Sequence, residues 1–248
     1  MNLDRRFAGL SRLYGSVGAE RIRQSHVAVV GIGGVGSWTA EAMARSGVAR
    51  ITLIDLDHVS ESNINRQIHA LESTTGQAKV QAMRDRIIQI NAECKVTCIE
   101  EFVEPENWPQ LLPTDVNAVV DACDQVRAKA AIAAWALSQA GFVLVSVGAA
   151  GGKRHAHKVD IDDLANVTHD PLLARLRHRL RKEHNAPREG RKIGLACVFS
   201  REAVSAPDAL CSAENDSSLN CHGFGSVVSV TATFGLCAAG WVMDQISC

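Results

Sequence analysis

Aromatic side chains are scarce in this chain: one tyrosine, six phenylalanines and four tryptophans among 248 residues, 4% in all. Its core is therefore expected to consist mostly of Ala, Val, Ile and Leu. Charge of one sign is not in excess either. Lys and Arg number 26 against 27 Asp and Glu, a formal net charge of −1, so no global field recruits a polyanion and any nucleic-acid site must be a local patch. The opening MNLDRRFAGL has charges and no apolar run, so no secretory signal is expected. The eight cysteines are then expected to be mostly reduced thiols of a cytoplasmic protein. None of them form a C-x-x-C pair; Cys94 and Cys98 are the nearest, as C-x-x-x-C. A structural zinc clip of the usual spacing is not expected. The histidines form no H-x-x-x-H or H-E-x-x-H pair and are read as structural or surface groups. GAAGGK at 148–153 fails as a P-loop, because Val147 and Arg154 stand where Gly and Ser or Thr are needed.

What is present is an ordinary globular composition, 46% hydrophobic and 21% charged, enough for a sizeable core. HVAVV (26–30), ITLID (51–55), 95–99, AVVD (118–121) and 142–147 read as buried strands. Helical patterns lie between them at 36–46, 77–90 and 125–140. This alternation predicts an α/β fold, a Rossmann-like, mainly parallel sheet with helices on both faces. Beyond Gly148 the pattern loosens: a strand at 157–161, a basic helix at 171–184, a strand at 196–200 and a loop over 205–225. The chain is read as a single domain, 1–248, with a nucleotide-binding half to about 150 and a substrate-binding half over 151–248 sharing the sheet. Ser226–Ile246 is about one bilayer long and is read first as a core helix or strand–helix, with peripheral or C-terminal membrane association as the alternative.

GIGGVG at 31–36 matches G-x-G-x-x-G between a strand and a helix. Such glycines let the backbone approach phosphate, and the helix N-terminus offers N–H groups and a positive dipole end. Asp55 ends the next strand, where a carboxylate accepts from ribose hydroxyls. The default reading is a dinucleotide dehydrogenase, but Asn63, Arg66 and Gln67 follow closely, Lys79 opens a helix, and Asp121 and Asp124 follow strand four at the carboxyl edge. Two cations and a carboxylate there suit a triphosphate with magnesium better.

GIGGVG, LIDLD, SNINRQ, Lys79 and DACD together resemble the adenylating domain of the ubiquitin-activating-enzyme superfamily, which includes the thiamine and molybdopterin adenylases. RLYG, NRQIHAL, HDPLLARLRHRLR, CVFSREA and CHGFGSVVSVTATFG are similar to the bacterial tRNA threonylcarbamoyladenosine dehydratase family. The resemblance implies that Gly31, Gly33, Gly34 and Gly36 contact nucleotide phosphates, Asp55 binds ribose, Asn63, Arg66 and Lys79 bind the phosphate groups, and Asp124 holds Mg2+. It implies ATP as cosubstrate, tRNA as partner and a homodimer, with a cysteine desulfurase or sulfur-acceptor system as a further partner. Relatives carry an arginine near the N-terminus that reaches ATP across the dimer interface; AGLSRLYG has glycine at that place and Arg12 nearby. Cys197 and Cys221 match cysteines of the family and are read as small buried residues ahead of a nucleophilic role.

Residues 175–192 hold eight Lys or Arg against two Glu, a local charge of +6. Arg175, Arg177, Arg179, Arg181 and Lys182 are expected to contact tRNA phosphates. The expected activity is ATP-dependent cyclisation of threonylcarbamoyl-adenosine beside the anticodon, with Arg66, Lys79 and Asp124 as the catalytic set. Adenylation of a small ubiquitin-like sulfur-carrier protein, and a non-catalytic nucleotide-binding scaffold linked to sulfur transfer, are the alternatives.

Overall fold

A computed structural model describes residues 3–188, 190–206 and 224–248. Seven strands form one sheet in the order β3-β2-β1-β4-β5-β7-β6. They are β1 (His26–Val30), β2 (Arg50–Ile54), β3 (Lys95–Ile99), β4 (Ala118–Asp121), β5 (Val143–Val147), β6 (Val159–Asp163) and β7 (Ala196–Ser200). All neighbours pair parallel except β6 with β7. The helices are α1 (Leu3–Gln24), α2 (Gly36–Arg45), α3 (Lys79–Ile90), α4 (Val126–Ser138), α5 (Pro171–Glu183) and α6 (Val228–Ser247).

Period-two alternation sends successive strand residues to opposite faces. Val27, Val29, Ala118, Val120, Val145 and Val198 point to one face and are covered by α2, α3 and α6. Ala28, Val30, Val119, Leu144, Cys197 and Phe199 point to the other, under α4, α5 and the segment around Trp108. Both faces being covered, the inner strands read as unbroken apolar runs. On α5 the residues Leu173, Leu176 and Leu180, three and four apart, are the buried ones.

The parallel α/β reading holds, and the described stretch beyond Gly148 joins the same sheet through β7 and β6. One local expectation is corrected, one element is new, and the reading of the C-terminal stretch as a core helix holds. The β6 strand begins at Val159 rather than His157, because Ala156–Lys158 form a 3-10 turn. Helix α1, unpredicted, occupies the N-terminus and is kinked at Gly15, whose φ of 72° and ψ of 168° leave the helical region. The apolar stretch at 226–246 lies mostly within α6, which buries Val230, Phe234, Ala238, Ala239 and Val242. Among the described residues no helix is long and apolar enough to cross a membrane. Cys221 lies outside the described residues, as does most of the 205–225 loop.

Candidate active site

β1 and β4 are adjacent in the sheet although α2, β2, α3 and β3 separate them in sequence. The strand order reverses between them, and at such a switch point ligands of open α/β sheets bind beyond the carboxyl ends. Gly31, where β1 ends, has φ 84°. A Cβ there would come within 2.9 Å of the Ala122 carbonyl and the Cys123 nitrogen, so this glycine lets the turn cross the β4 loop. A Cβ on Gly36 would overlap the Gly31 carbonyl oxygen; this glycine closes the turn onto α2. On Gly34 it would touch Arg66 and Thr231 at 3.3 Å, whereas Gly33 faces open space. The four glycines thus have unequal roles. Gly33 has the open face that close approach of a phosphate needs, and the other three allow the packing that shapes the turn.

Asp55 follows β2 and is nearly buried. Its Oδ2 accepts from Ile32 N at 2.6 Å and its Oδ1 from Asp57 N at 2.9 Å. Burial pushes its carboxyl above the usual range, against the pull of Lys79 and these two amides. In its present bonds the carboxylate fastens the glycine turn to the end of β2, besides standing where a ribose is expected.

The segment after Asp55 folds back as a 3-10 turn, Glu61–Asn63, in which Asn63 Oδ1 accepts from Ser60 N at 3.2 Å. Buried Asn63 is thereby engaged locally. Arg66 is 8% exposed. Its guanidinium donates to Ser62 O at 2.7 Å and Asn65 Oδ1 at 2.9 Å, while its carbonyl accepts from Trp38 Nε1 of α2 at 2.9 Å and Thr231 Oγ1 of α6 at 3.5 Å. No carboxylate neutralises it among the described residues, so its charge is available to an anion. Lys79 starts α3 and is 5% exposed. Its Nζ pairs with Asp57 Oδ2 at 2.7 Å and its backbone N–H donates to Asp57 O at 2.9 Å. Asp57 is a partner that the sequence analysis missed, although it is the second acid of LIDLD.

The two acids of DACD separate completely. Asp121 is fully buried and binds Lys129 Nζ at 3.0 Å and Ser146 Oγ at 2.7 Å. Lys129, also fully buried, donates to Ser146 Oγ at 3.2 Å as well. Burial pushes the Lys129 ammonium toward neutrality, but the charge and hydrogen bond of Asp121 together with neighbouring Cys123 and Cys197 hold its pKa above the ordinary lysine value. Cys123 Sγ sits 3.0 Å from Asp121 Oδ1. Burial pushes the Cys123 and Cys197 thiols far up, so neither is poised as a thiolate nucleophile. Asp124, by contrast, is exposed and has no side-chain partner among the described residues. The buried Lys129 had a sequence signal, a basic residue eight places after Asp121 at the head of the apolar run AAIAAWAL of an Ala-rich helix.

The basic helix departs from expectation. Arg177 Nη1 donates to Leu164 O and Val167 O, both at 2.9 Å, Arg179 pairs with Glu183 at 2.7 Å, and Arg181 Nε donates to Pro187 O at 3.1 Å. Arg177 and Arg181 are thereby bonded to the loops that frame the helix, and Arg179 to the next turn of the helix itself. Arg175 and Lys182 are exposed with no side-chain partner among the described residues. The helix starts at the carboxyl edge, where Asp170 accepts from Leu173 N at 3.0 Å and Ala149 N at 2.9 Å. Lys182 lies roughly 18 Å further along its axis. The basic positions are therefore not gathered around the glycine turn. A cleft of about 580 Å3 under Pro109, Trp135 and Phe142 opens at the opposite, amino edge of β4 and β5, away from all these groups.

The ThiF family model matches residues 3–247. The chain is 43% identical over 250 residues to tRNA threonylcarbamoyladenosine dehydratase of Escherichia coli, covering 97% of this chain and 93% of the relative. It is 41% identical to the Bacillus subtilis protein of that name, over 76% of this chain and 72% of the relative. Its structure is similar to the crystal structure of the E. coli enzyme in complex with ATP, with a TM-score of 0.88, 42% identity and coverage of 98% of this chain and 94% of that one.

Proposed function

The chain belongs to the ThiF family, and from that premise we propose that it is an ATP-dependent dehydratase that cyclises threonylcarbamoyl-adenosine beside the anticodon of tRNA. The observation that carries this reading is the near full-length likeness to the E. coli enzyme, whose structure holds ATP. The arrangement at the switch point supports it, with Gly33 open and, among the described residues, Arg66 without a carboxylate partner and Asp124 unpartnered on the same edge. The substrate carboxylate attacks the α-phosphate of ATP, forming an acyl-adenylate and releasing pyrophosphate. A nucleophilic atom of the carbamoyl group then displaces AMP and closes a ring, so that the modified nucleoside loses one water overall.

Each residue has a defined part. Asp55 orients the ribose, and the amides at the start of α2 face the phosphates across Gly33. Arg66 and Lys79 oppose negative charge as it builds on the phosphate chain. Asp124 fits a magnesium ion: an exposed, unpartnered carboxylate beside the phosphate region is the donor such an ion takes together with phosphate oxygens and water. Bound there, the ion would supply charge neutralisation on the phosphates. Arg175 and Lys182 serve as tRNA phosphate contacts, with Arg177 and Arg181 tying their helix to the flanking loops and Arg179 paired along the helix with Glu183. Residues 1–150 carry the nucleotide and 151–248 the RNA side of a single adenylating domain. The working form is a homodimer in the cytoplasm.

Adenylation of a sulfur-carrier protein is the competing activity, and the absence of C-x-x-C pairs from the sequence speaks for RNA instead. The test is ATP- and magnesium-dependent pyrophosphate release with threonylcarbamoyl-adenosine-bearing tRNA, followed by mass analysis of the nucleosides. Release accompanied by loss of one water supports the reading, and chelation of magnesium should abolish it. Release only with a sulfur-carrier protein, or with neither substrate, overturns it.

A further inference from the structure

Between β5 and β6 runs the stretch GKRHAHK, residues 152–158, to which nothing above gives a role. Lys153 is buried beneath it and donates to His169 O at 2.8 Å and Glu202 O at 2.7 Å. The Glu202 carboxylate accepts from Arg154 N at 3.1 Å and His155 N at 2.8 Å. The backbone is thus held from below by a buried cation and a buried anion. Four side chains, Arg154, His155, His157 and Lys158, are left exposed. Arg154 has no side-chain partner among the described residues. The two imidazoles lie against each other with centroids 5.5 Å apart. The neighbouring Arg201 is neutralised by Asp160, Nη2 to Oδ2 at 2.5 Å, so Arg154 and Lys158 are the outward charges of this rim.

Position gives the stretch its meaning. Val159 pairs with Ser200, the last residue of β7, so 152–158 hang from the carboxyl edge, the same edge as Gly33 and Asp124. In the order β4-β5-β7-β6 the stretch is three strand spacings from β4, roughly 14 Å. The nucleotide side of the site lies the other way, toward β2 and Asp55. A reacting group that reaches the phosphates near Asp124 from the β6 side passes over β5 and β7, across these residues. Arg154 and Lys158, without a side-chain bonding partner among the described residues, and two planar imidazoles, of which His155 lies 3.9 Å from the Glu202 carboxylate, are the chemistry that takes phosphates and unstacked bases.

We propose that Arg154, His155, His157 and Lys158 form a contact surface for the RNA strand that carries the reacting nucleoside, held rigid by Lys153 and Glu202. This deepens the tRNA reading and rests on it. The test is filter binding of tRNA to the full-length protein across a salt series, comparing wild type with Arg154→Gln/Lys158→Gln. Both substitutions keep the backbone N–H groups that Glu202 holds, and a thermal melt checks that folding is intact. Two lost phosphate contacts should flatten the slope of log K against log salt by about two, with ATP affinity unchanged. A wild-type slope in the folded variant, while the wild-type protein binds and converts tRNA, overturns the surface and leaves the function standing. If wild type neither binds nor converts tRNA, the functional reading fails and this surface fails with it.

Discussion

Lys79 is almost fully enclosed and is paired with Asp57, whose half-exposed carboxylate balances the ammonium at 2.7 Å without itself being buried. An incoming phosphate can share or take over that ammonium. Removing a charge-assisted contact of this kind costs about 1.5–3 kcal/mol, so Lys79→Ala should lower turnover by more than about tenfold. Steady-state rates at saturating tRNA check this, and unchanged turnover would remove Lys79 from the catalytic set. His69 makes a different prediction. It is buried, and desolvation first, then the charges of Lys79 and Arg86, lower its pKa from 6.5 to about 4. The folded protein excludes a proton that the unfolded chain binds between those two values. Stability is therefore full above about pH 6.5 and falls as pH drops toward 4, by on the order of 3 kcal/mol at most. His69→Gln should flatten the dependence of the denaturant midpoint on pH in that window; parallel curves for the two proteins would show that His69 does not set it.

At the scale of elements, the approach of α2 and α6 holds the site together. A Cβ on Gly235 would stand 2.5 Å from Val35 O and 2.8 Å from Trp38 Cβ, and Thr39 Oγ1 donates to Gly235 O at 3.2 Å. The same two helices supply Trp38 and Thr231 to the Arg66 carbonyl. Gly235→Ala should therefore destabilise the fold by about 1–3 kcal/mol through overpacking and, by shifting Trp38 and Thr231, weaken ATP binding as well. Chemical denaturation and nucleotide titration read the two effects, and a variant of native stability would mean that the helices slide apart freely. Helix α5 shows what a charge count misses. Its surplus of arginines was legible, and so was the i,i+4 spacing of Arg179 and Glu183. That Arg177 would reach two loop carbonyls was not, because those carbonyls belong to residues 164 and 167 and become neighbours only once β6 has paired with β7.

For the whole molecule, the parallel core was legible because its inner strands β1, β2, β4 and β5 are buried on both faces almost throughout and so form apolar runs between helices. Right-handed crossovers then leave few topologies, and the 3-2-1-4-5 order places GIGGVG beside DACD. The β6 edge strand, VDIDD, is half-buried and acidic, so it carries no such run. Nor did α1 announce itself, since Gly9, Gly15 and Gly18 interrupt its pattern. Yet among the described residues α1 bears the two most exposed large apolar side chains: Leu13 is 75% and Val17 65% exposed, although the same helix packs on α6. Arg12 stands exposed beside Leu13, in the stretch where the family resemblance puts a residue that reaches the partner's ATP. Apolar side chains left in water on a helix otherwise docked to the core mark an interface, and twofold pairs are the commonest solution. Wild type should therefore run as a dimer by light scattering at micromolar concentration. Leu13→Asp/Val17→Asp should run as a folded monomer with turnover lowered by about tenfold or more if Arg12 completes the partner's site, the loss of one charge-assisted contact again. A wild-type monomer of full activity would refute the pairing, and a monomeric variant with wild-type turnover would show that each subunit carries a whole site.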